Sequence, residues 1–144
     1  MGTPLDIALV IALIVAFIWG TFFVLSRITG WRRLAARHPG VAPASGAKRG
    51  LTSVMFPPCL GYNHCVLYAA DDEHLHLRIM HPFSLCHPPV SIPWAAMESV
   101  ERVPSAFLGA RVRVGDISFR IPRHVVRDEL TLREAAAAPT PEPG

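Results

Sequence analysis

Cysteine and histidine, the residue types that most often bind metals or act as nucleophiles, are concentrated in one stretch of the chain. Eight of them fall within 29 residues: Cys59, His64, Cys65, His74, His76, His81, Cys86 and His87. A structural zinc site needs four such ligands, usually in closely spaced pairs. The neighbours His64-Cys65 and Cys86-His87 would point to opposite faces of an extended chain, whereas His74 and His76 would share a face that is typically solvated. The sequence therefore predicts no bound metal or cofactor.

Catalysis by these residues is not expected either. A cysteine next to a histidine in sequence is not the spatial pair that a Cys-His mechanism requires. The acidic run from Asp71 to Glu73 is typical of a turn, and the chain contains no glycine-rich phosphate loop or metalloprotease helix motif. We therefore expect a protein that is not an enzyme. Three cysteines cannot all pair, so free thiols are predicted.

A second group with distinctive chemistry is the segment HPPVSIPW, residues 87 to 94. Consecutive prolines stiffen the backbone toward polyproline II, and a tryptophan buries a large apolar area while its indole N–H seeks a partner. The segment is either a rigid turn that delivers Ile92 and Trp94 into the core or an exposed motif that docks a protein partner. The candidate partner-binding residues are His87, Pro88, Pro89 and Trp94.

The elements that must position these residues begin with an apolar stretch. Residues Ile7 to Leu25 are 19 uncharged residues, which as a helix would extend about 28 Å, close to the hydrocarbon thickness of a bilayer. Asp6 in front of it and the long apolar core argue against a cleaved signal peptide. We expect residues 1–26 to form a single-pass membrane anchor.

Positive charge is concentrated directly after this stretch. The protein carries a net charge of +3, yet six basic residues lie between residues 27 and 49, while residues 50 to 144 have eight basic and ten acidic side chains. Nucleic-acid binding is therefore not expected. By the positive-inside rule the N-terminus lies outside and the rest in the cytosol. The residues predicted to contact the membrane surface are Arg27, Trp31, Arg32, Arg33 and Arg37.

The rest of the chain is predicted to form one small domain, in which apolar and polar residues alternate with a period of two. We expect residues 27–50 to form a basic juxtamembrane segment and flexible linker, 51–138 a domain, and 139–144 a disordered tail. Alternating apolar residues predict strands, and the final segment is rich in helix formers. The predicted strands are Tyr62–Ala69, His74–Met80, Val90–Trp94, Glu98–Val103, Ala110–Val114 and Ile117–Ile121, followed by a helix over His124–Ala138.

This arrangement resembles the bacterial pleckstrin-homology-like family. The resemblance is carried by Ile92-Pro93-Trp94, by Met97, and by HPPVSIPW behind an anchor that ends in GWRRL. It implies a mainly β fold, a small barrel or bent sheet with a C-terminal helix, behind one transmembrane helix. It also implies a bacterial inner-membrane location. Lipid-binding members carry a basic cluster between their first two strands, and residues 61–64 have none, so phosphoinositide binding is not expected.

The family implies binding rather than catalysis. We therefore expect a membrane-anchored cytosolic interaction module, an adaptor that contacts membrane lipids through its anchor and a protein partner through its domain. The alternative is a cytosolic metal or redox sensor that uses the Cys/His cluster between Cys59 and His87.

Overall fold

The computed structural model describes residues 2–139, 141 and 143, and it opens with one long apolar helix. Helix α1 spans Pro4–Ile28, and Thr3 caps its N-terminus by accepting the backbone N–H of Asp6. Its most apolar 18-residue window has a mean hydropathy of 2.8, and none of that window is buried. A core helix would be covered by other elements, so α1 is a candidate membrane span by length, composition and exposure.

In the described part of the chain, two further helices and seven strands follow α1. Helix α2 is Trp31–Arg37 and helix α3 is Arg127–Ala137, with short 3-10 turns at residues 83–86, 94–96 and 123–125. The strands are β1 Lys48–Phe56, β2 Leu60–Ala70, β3 His74–Ile79, β4 Val90–Pro93, β5 Ser99–Arg102, β6 Ala110–Val114 and β7 Ile117–Ile121.

The strands form one antiparallel sheet in the order β4-β3-β2-β1-β7-β6-β5, curled into a half-barrel. Each half is a meander of neighbouring strands, and the two halves meet where Met55 of β1 pairs with Arg120 of β7. The fold class predicted from the sequence, a mainly β domain with an N-terminal apolar helix and a C-terminal helix, is confirmed.

The core lies inside the curl of the sheet. In β6 and β7 the apolar side chains alternate with polar ones as predicted: Val112 and Phe119 are buried, and Arg111 and Arg113 are exposed. The largest fully buried side chains include Trp31, Tyr62, Phe56, Phe119, Leu34, Leu75, Leu77, Ile79, Ile92, Ile121 and Leu130.

The structure shifts several predicted boundaries. Strand β1 begins at Lys48, inside the predicted linker, and was not predicted as a strand. Helix α2 also lies within residues 27–50, and its Leu34 and Ala35 belong to the core. Helix α3 begins at Arg127 rather than His124 because residues 123–125 form a 3-10 turn. In the predicted tail, residues 139, 141 and 143 have no regular secondary structure, and residues 140, 142 and 144 lie outside the described residues.

Residues 38–44, which we call the strap, run along the edge strand β4. Pro39 pairs with Val90 as an isolated antiparallel bridge. The N–H of Gly40 donates to the carbonyl of Pro89, and the N–H of Ser91 donates to the carbonyl of His38. The strap therefore covers backbone groups that an edge strand would otherwise leave open to another chain.

Candidate functional site

The contact region between α1 and the sheet domain, which we call the joint, is formed by Phe22, Trp31, Tyr62, Phe83 and His87. Trp31 lies at its centre. The backbone turns at Gly30, whose φ of +86° is in the region that favours glycine, and this turn directs Trp31 inward. The indole is 0% exposed, and its Nε1 donates to the carbonyl of Pro88 at 2.8 Å. The rings of Tyr62 and His87 pack edge-on against it. The prediction that Trp31 contacts the membrane surface therefore needs correction, because the side chain is a core residue of the domain.

His87 is equally buried and belongs to the same joint. Its Nε2 lies 2.7 Å from the hydroxyl of Tyr62, and its Nδ1 lies 3.3 Å from the carbonyl of Phe83. This geometry fits a neutral ring in which Nδ1–H donates to the carbonyl and Nε2 accepts from the phenol. Burial lowers the pKa of His87 and raises the pKa of Tyr62 to about 12. His87 is therefore not available to a partner, which corrects its predicted role.

A short loop of the domain, residues 80–86, lies against the last turns of α1. The rings of Phe22 and Phe83 stack with centroids 4.3 Å apart, and Phe22 also meets His87 edge-on. Leu85 of the same loop is 66% exposed, and Met80 is exposed as well. An exposed apolar loop therefore adjoins the helix that is long and apolar enough to cross a bilayer.

The four predicted membrane-surface arginines are all exposed next to this joint. Arg33 and Arg37 both donate to the carboxylate of Asp116 in the β6–β7 turn. These contacts lower the pKa of Asp116 and link α2 to the second half of the sheet. Arg27 lies over the ring of Phe23 at 5.1 Å. Their contact with lipid, like that of Arg32, stays a prediction.

At the far end of β2 and β3, three polar side chains form a hydrogen-bonded chain. Nε2 of His76 lies 2.8 Å from Oδ2 of Asp71, and Nδ1 of His76 lies 2.7 Å from Oγ of Ser91. The prediction that His76 lies on a solvated face is wrong: the ring is 7% exposed, because the strap crosses above it.

This Ser-His-Asp order invites comparison with a nucleophilic triad. Oγ of Ser91, however, accepts the N–H of Val41 in the strap at 2.9 Å and is buried, with the residue 4% exposed. A nucleophile needs an exposed oxygen beside a vacant substrate position. The arrangement instead ties the strap to β4, and the second strap contact is from the N–H of Ala44 to Oδ2 of Asp71 at 3.1 Å.

Asp71 is the centre of these contacts. Its Oδ1 accepts the backbone N–H groups of Glu73 and His74, which confirms the predicted turn. Burial acts to raise the pKa of Asp71, but the hydrogen bonds from His76 and from the three backbone N–H groups outweigh it. They hold the pKa well below its ordinary value.

A cleft of about 790 Å³ opens beside this cluster, between the strap, the β2–β3 turn and the start of α3. Trp94 lines it, half-buried, with its Nε1 donating to the carbonyl of Asp71 at 2.8 Å. Tyr68, Val41 and Leu132 add apolar surface. Among the described residues, five carboxylates and two cationic side chains line the cleft: Asp71, Asp72, Glu73, Asp128 and Glu129 against Lys48 and Arg127.

The four predicted partner-binding residues are not brought together on one surface. Pro88 and Pro89 are exposed beside the strap, and His87 is buried in the joint. Trp94 lies beyond the other end of β4, in the cleft. Ile92 is fully buried, in agreement with the interpretation of the segment as a turn that delivers it into the core.

The Cys/His cluster of the sequence is also dispersed. All three cysteines are free thiols, as predicted, and burial raises the pKa of Cys65. Within the described part of the chain, the one group of three or more potential ligands close together is Asp71, His74 and His76. Sequence reasoning missed Asp71 as a member, although an acidic turn directly before an alternating histidine pair is a readable signal.

Comparison of the chain with known protein families, with curated proteins and with solved structures finds no match.

Proposed function

We propose that this chain is a membrane-anchored interaction module with no catalytic activity of its own. The observation that carries the proposal is the buried joint: Trp31, Tyr62 and His87 are buried in the domain, and Phe22 and Leu25 at the end of the apolar helix pack against this region. A cleft fixed in this way is presented at a constant position relative to the bilayer. Such presentation suits recognition of a partner at the membrane.

The charge distribution supports a bacterial inner-membrane location with the N-terminus outside and the domain in the cytosol. Four arginines lie within twelve residues of the apolar stretch on its C-terminal side, and no basic residue precedes it. An excess of positive charge marks the cytosolic flank of a span. Exposed arginines near an anionic leaflet each contribute on the order of 1 kcal/mol of attraction.

The 80–86 loop supports direct contact between the domain and lipid. Phe83 stacks on Phe22, which lies three residues before the end of the 19-residue uncharged stretch, about 4.5 Å along the helix. We therefore expect the exposed Leu85 and Met80 to lie near the headgroup boundary, where apolar side chains are stabilised by insertion.

The cleft supports a protein partner with a basic segment. Its apolar lining from Tyr68, Trp94 and Leu132 provides burial, and its excess of carboxylates complements lysine or arginine side chains. Two antiparallel meanders followed by one helix also support a pleckstrin-homology-like architecture, whose members bind lipids, peptides and proteins. A sensor built on the cysteines has no comparable support, because the clustered ligands of the described residues include no cysteine.

The test is site-specific photocrosslinking in the full chain, expressed in a bacterial inner membrane. A photoreactive amino acid replaces Leu132, at the cleft, and in a matched control replaces Arg111, which is exposed on β6 outside the cleft. A second pair of samples adds the charge reversals Asp72→Lys and Glu73→Lys. Crosslinked peptides are then identified by mass spectrometry.

We expect one protein to crosslink at position 132 but not at 111, through a peptide rich in lysine or arginine, and we expect the charge reversals to abolish it. Crosslinking that is equal at both positions would overturn the proposal. So would a crosslink that survives the charge reversals, or the absence of any crosslinked protein.

A further inference from the structure

We propose that Asp71, His74 and His76 bind a divalent transition-metal ion, such as Zn²⁺, at the edge of the cleft. One potential ligand atom from each of these residues lies within 4.8 Å of the other two. Imidazole nitrogens and a carboxylate oxygen form a ligand set that suits Zn²⁺ and its neighbours in the first transition row. The inference does not depend on the proposed partner.

The β2–β3 hairpin explains why these three residues converge. His74 and His76 are two positions apart in β3 and so lie on the same face of the sheet, with ring centroids 5.5 Å apart. Asp71 directly follows β2, and its carboxylate accepts the N–H of His74, which holds it close to that residue. With metal–ligand bonds of 2.0–2.1 Å, tetrahedral ligands lie about 3.3 Å apart, so modest side-chain rotations suffice.

His76 already has the second partner that a metal-binding histidine needs. Such a histidine donates its other ring N–H to a neighbouring acceptor, which fixes the ring and its tautomer. When the metal takes Nε2, the ring hydrogen lies on Nδ1, 2.7 Å from Oγ of Ser91. The Ser91 hydroxyl then donates to the carbonyl of Val41, 3.4 Å away. The metal replaces the hydrogen now shared between His76 and Asp71.

His74 is the ligand with the most freedom to move. Its Nδ1 lies 3.9 Å from a carboxylate oxygen of Glu73, beyond hydrogen-bond range, and the side chain is 26% exposed. Three protein ligands leave one coordination position for water or for a donor that enters the cleft. This is the composition of an open site rather than a closed structural one.

The experiment titrates the metal-free full chain, in a mild detergent, with Co²⁺ followed by visible absorption and then with competing Zn²⁺. His74→Gln removes one ligand without breaking a hydrogen bond of the fold. The matched control is His124→Gln, a histidine that lines the same cleft outside the trio. A third variant, Cys59→Ser with Cys65→Ala and Cys86→Ala, removes every thiol.

We expect one equivalent of Co²⁺ per chain, displaced by Zn²⁺. His74→Gln should weaken binding at least tenfold, and the other two variants should bind as the parent does. The proposal is overturned if the parent shows no saturable uptake, if His74→Gln binds equally well, or if removal of the thiols abolishes binding. Crosslinking of the protein partner is also measured in the presence of a chelator. This measurement tests the proposed function without the metal, so failure of the metal site and failure of the proposed function can be distinguished.

Discussion

The hydroxyl oxygen of Tyr62 lies 2.7 Å from Nε2 of His87, in the centre of the joint between the apolar helix and the sheet. Phe22 of α1, Trp31 of α2 and Phe83 of the 80–86 loop surround this pair. Burial favours the neutral form of the histidine, in which Nε2 accepts the phenolic hydrogen.

The joint should therefore weaken as the pH falls. Burial lowers the pKa of His87, with the nearby Arg32 acting in the same direction, so below the ordinary value of 6.5 the unfolded chain binds a proton that the folded one does not. Stability contributed by the neutral ring is present above pH 6.5 and is lost below it, by at most about 1.4 kcal/mol per pH unit. Unfolding of the detergent-solubilised chain between pH 7.5 and 5.5, followed by near-ultraviolet circular dichroism, measures this loss.

The variant His87→Gln keeps an acceptor for Tyr62 but does not titrate, and it should flatten this pH dependence. His81→Gln, in the exposed part of the 80–86 loop, is the control and should leave it unchanged. Equal slopes for His87→Gln and the parent would contradict the assignment.

Trp31→Phe should destabilise the domain by about 2 kcal/mol. The change leaves the carbonyl of Pro88 without its donor and opens space in the core. Trp19→Phe is a matched control in α1, where the indole is exposed on the apolar helix. The free energy of unfolding of both variants is measured by chemical unfolding in detergent. An equally large loss of stability for Trp19→Phe would contradict the assignment of Trp31 to the core.

Asp71→Asn should release the strap and cost about 2–3 kcal/mol of unfolding free energy. The carboxylate accepts from His76 and from three backbone N–H groups, and an amide would turn a donor toward some of them. Hydrogen exchange at the amides of Val41 and Ala44 should accelerate. Asp72→Asn, at the exposed next position, should change stability by less than about 0.5 kcal/mol. Unchanged exchange at both amides in Asp71→Asn would rule out the tether.

A fluorophore at residue 85 should report an apolar environment in lipid nanodiscs. Leu85→Cys in a chain otherwise lacking cysteine, labelled with a polarity-sensitive dye, should show blue-shifted emission, because the 80–86 loop adjoins the candidate membrane span. Arg111→Cys, exposed on β6, is the control and should report water. Emission typical of water at both positions would mean that the loop does not touch the bilayer.

The β6–β7 hairpin could be predicted to the residue, because five residues on each side alternate around a Gly-Asp turn. Strand β1 could not be predicted from its sequence. A register shift between Thr52 and Val54 places three consecutive residues in the interior, two of them polar, and this erases the period of two.

The cleft and the joint depend on contacts between residues far apart in sequence. Trp31 looks like an interfacial residue because it precedes two arginines, and what makes it a core residue is contact with distant residues, such as Tyr62 and the carbonyl of Pro88, 57 positions later. The pairing of Ser91 with Val41 spans 50 positions and likewise leaves no local pattern. Periodicity predicts which face of a strand is apolar, but it does not predict which distant segment will cover it.

The buried turn at Thr29 and Gly30 connects the helix directly to the domain. Only these two residues separate α1 from α2, and both are enclosed by the domain. Because Thr29 and Gly30 are buried, no exposed hinge separates the helix from the sheet, and a rotation of the helix about its axis would turn the sheet with it. The azimuth of the cleft would then follow the azimuth of the helix.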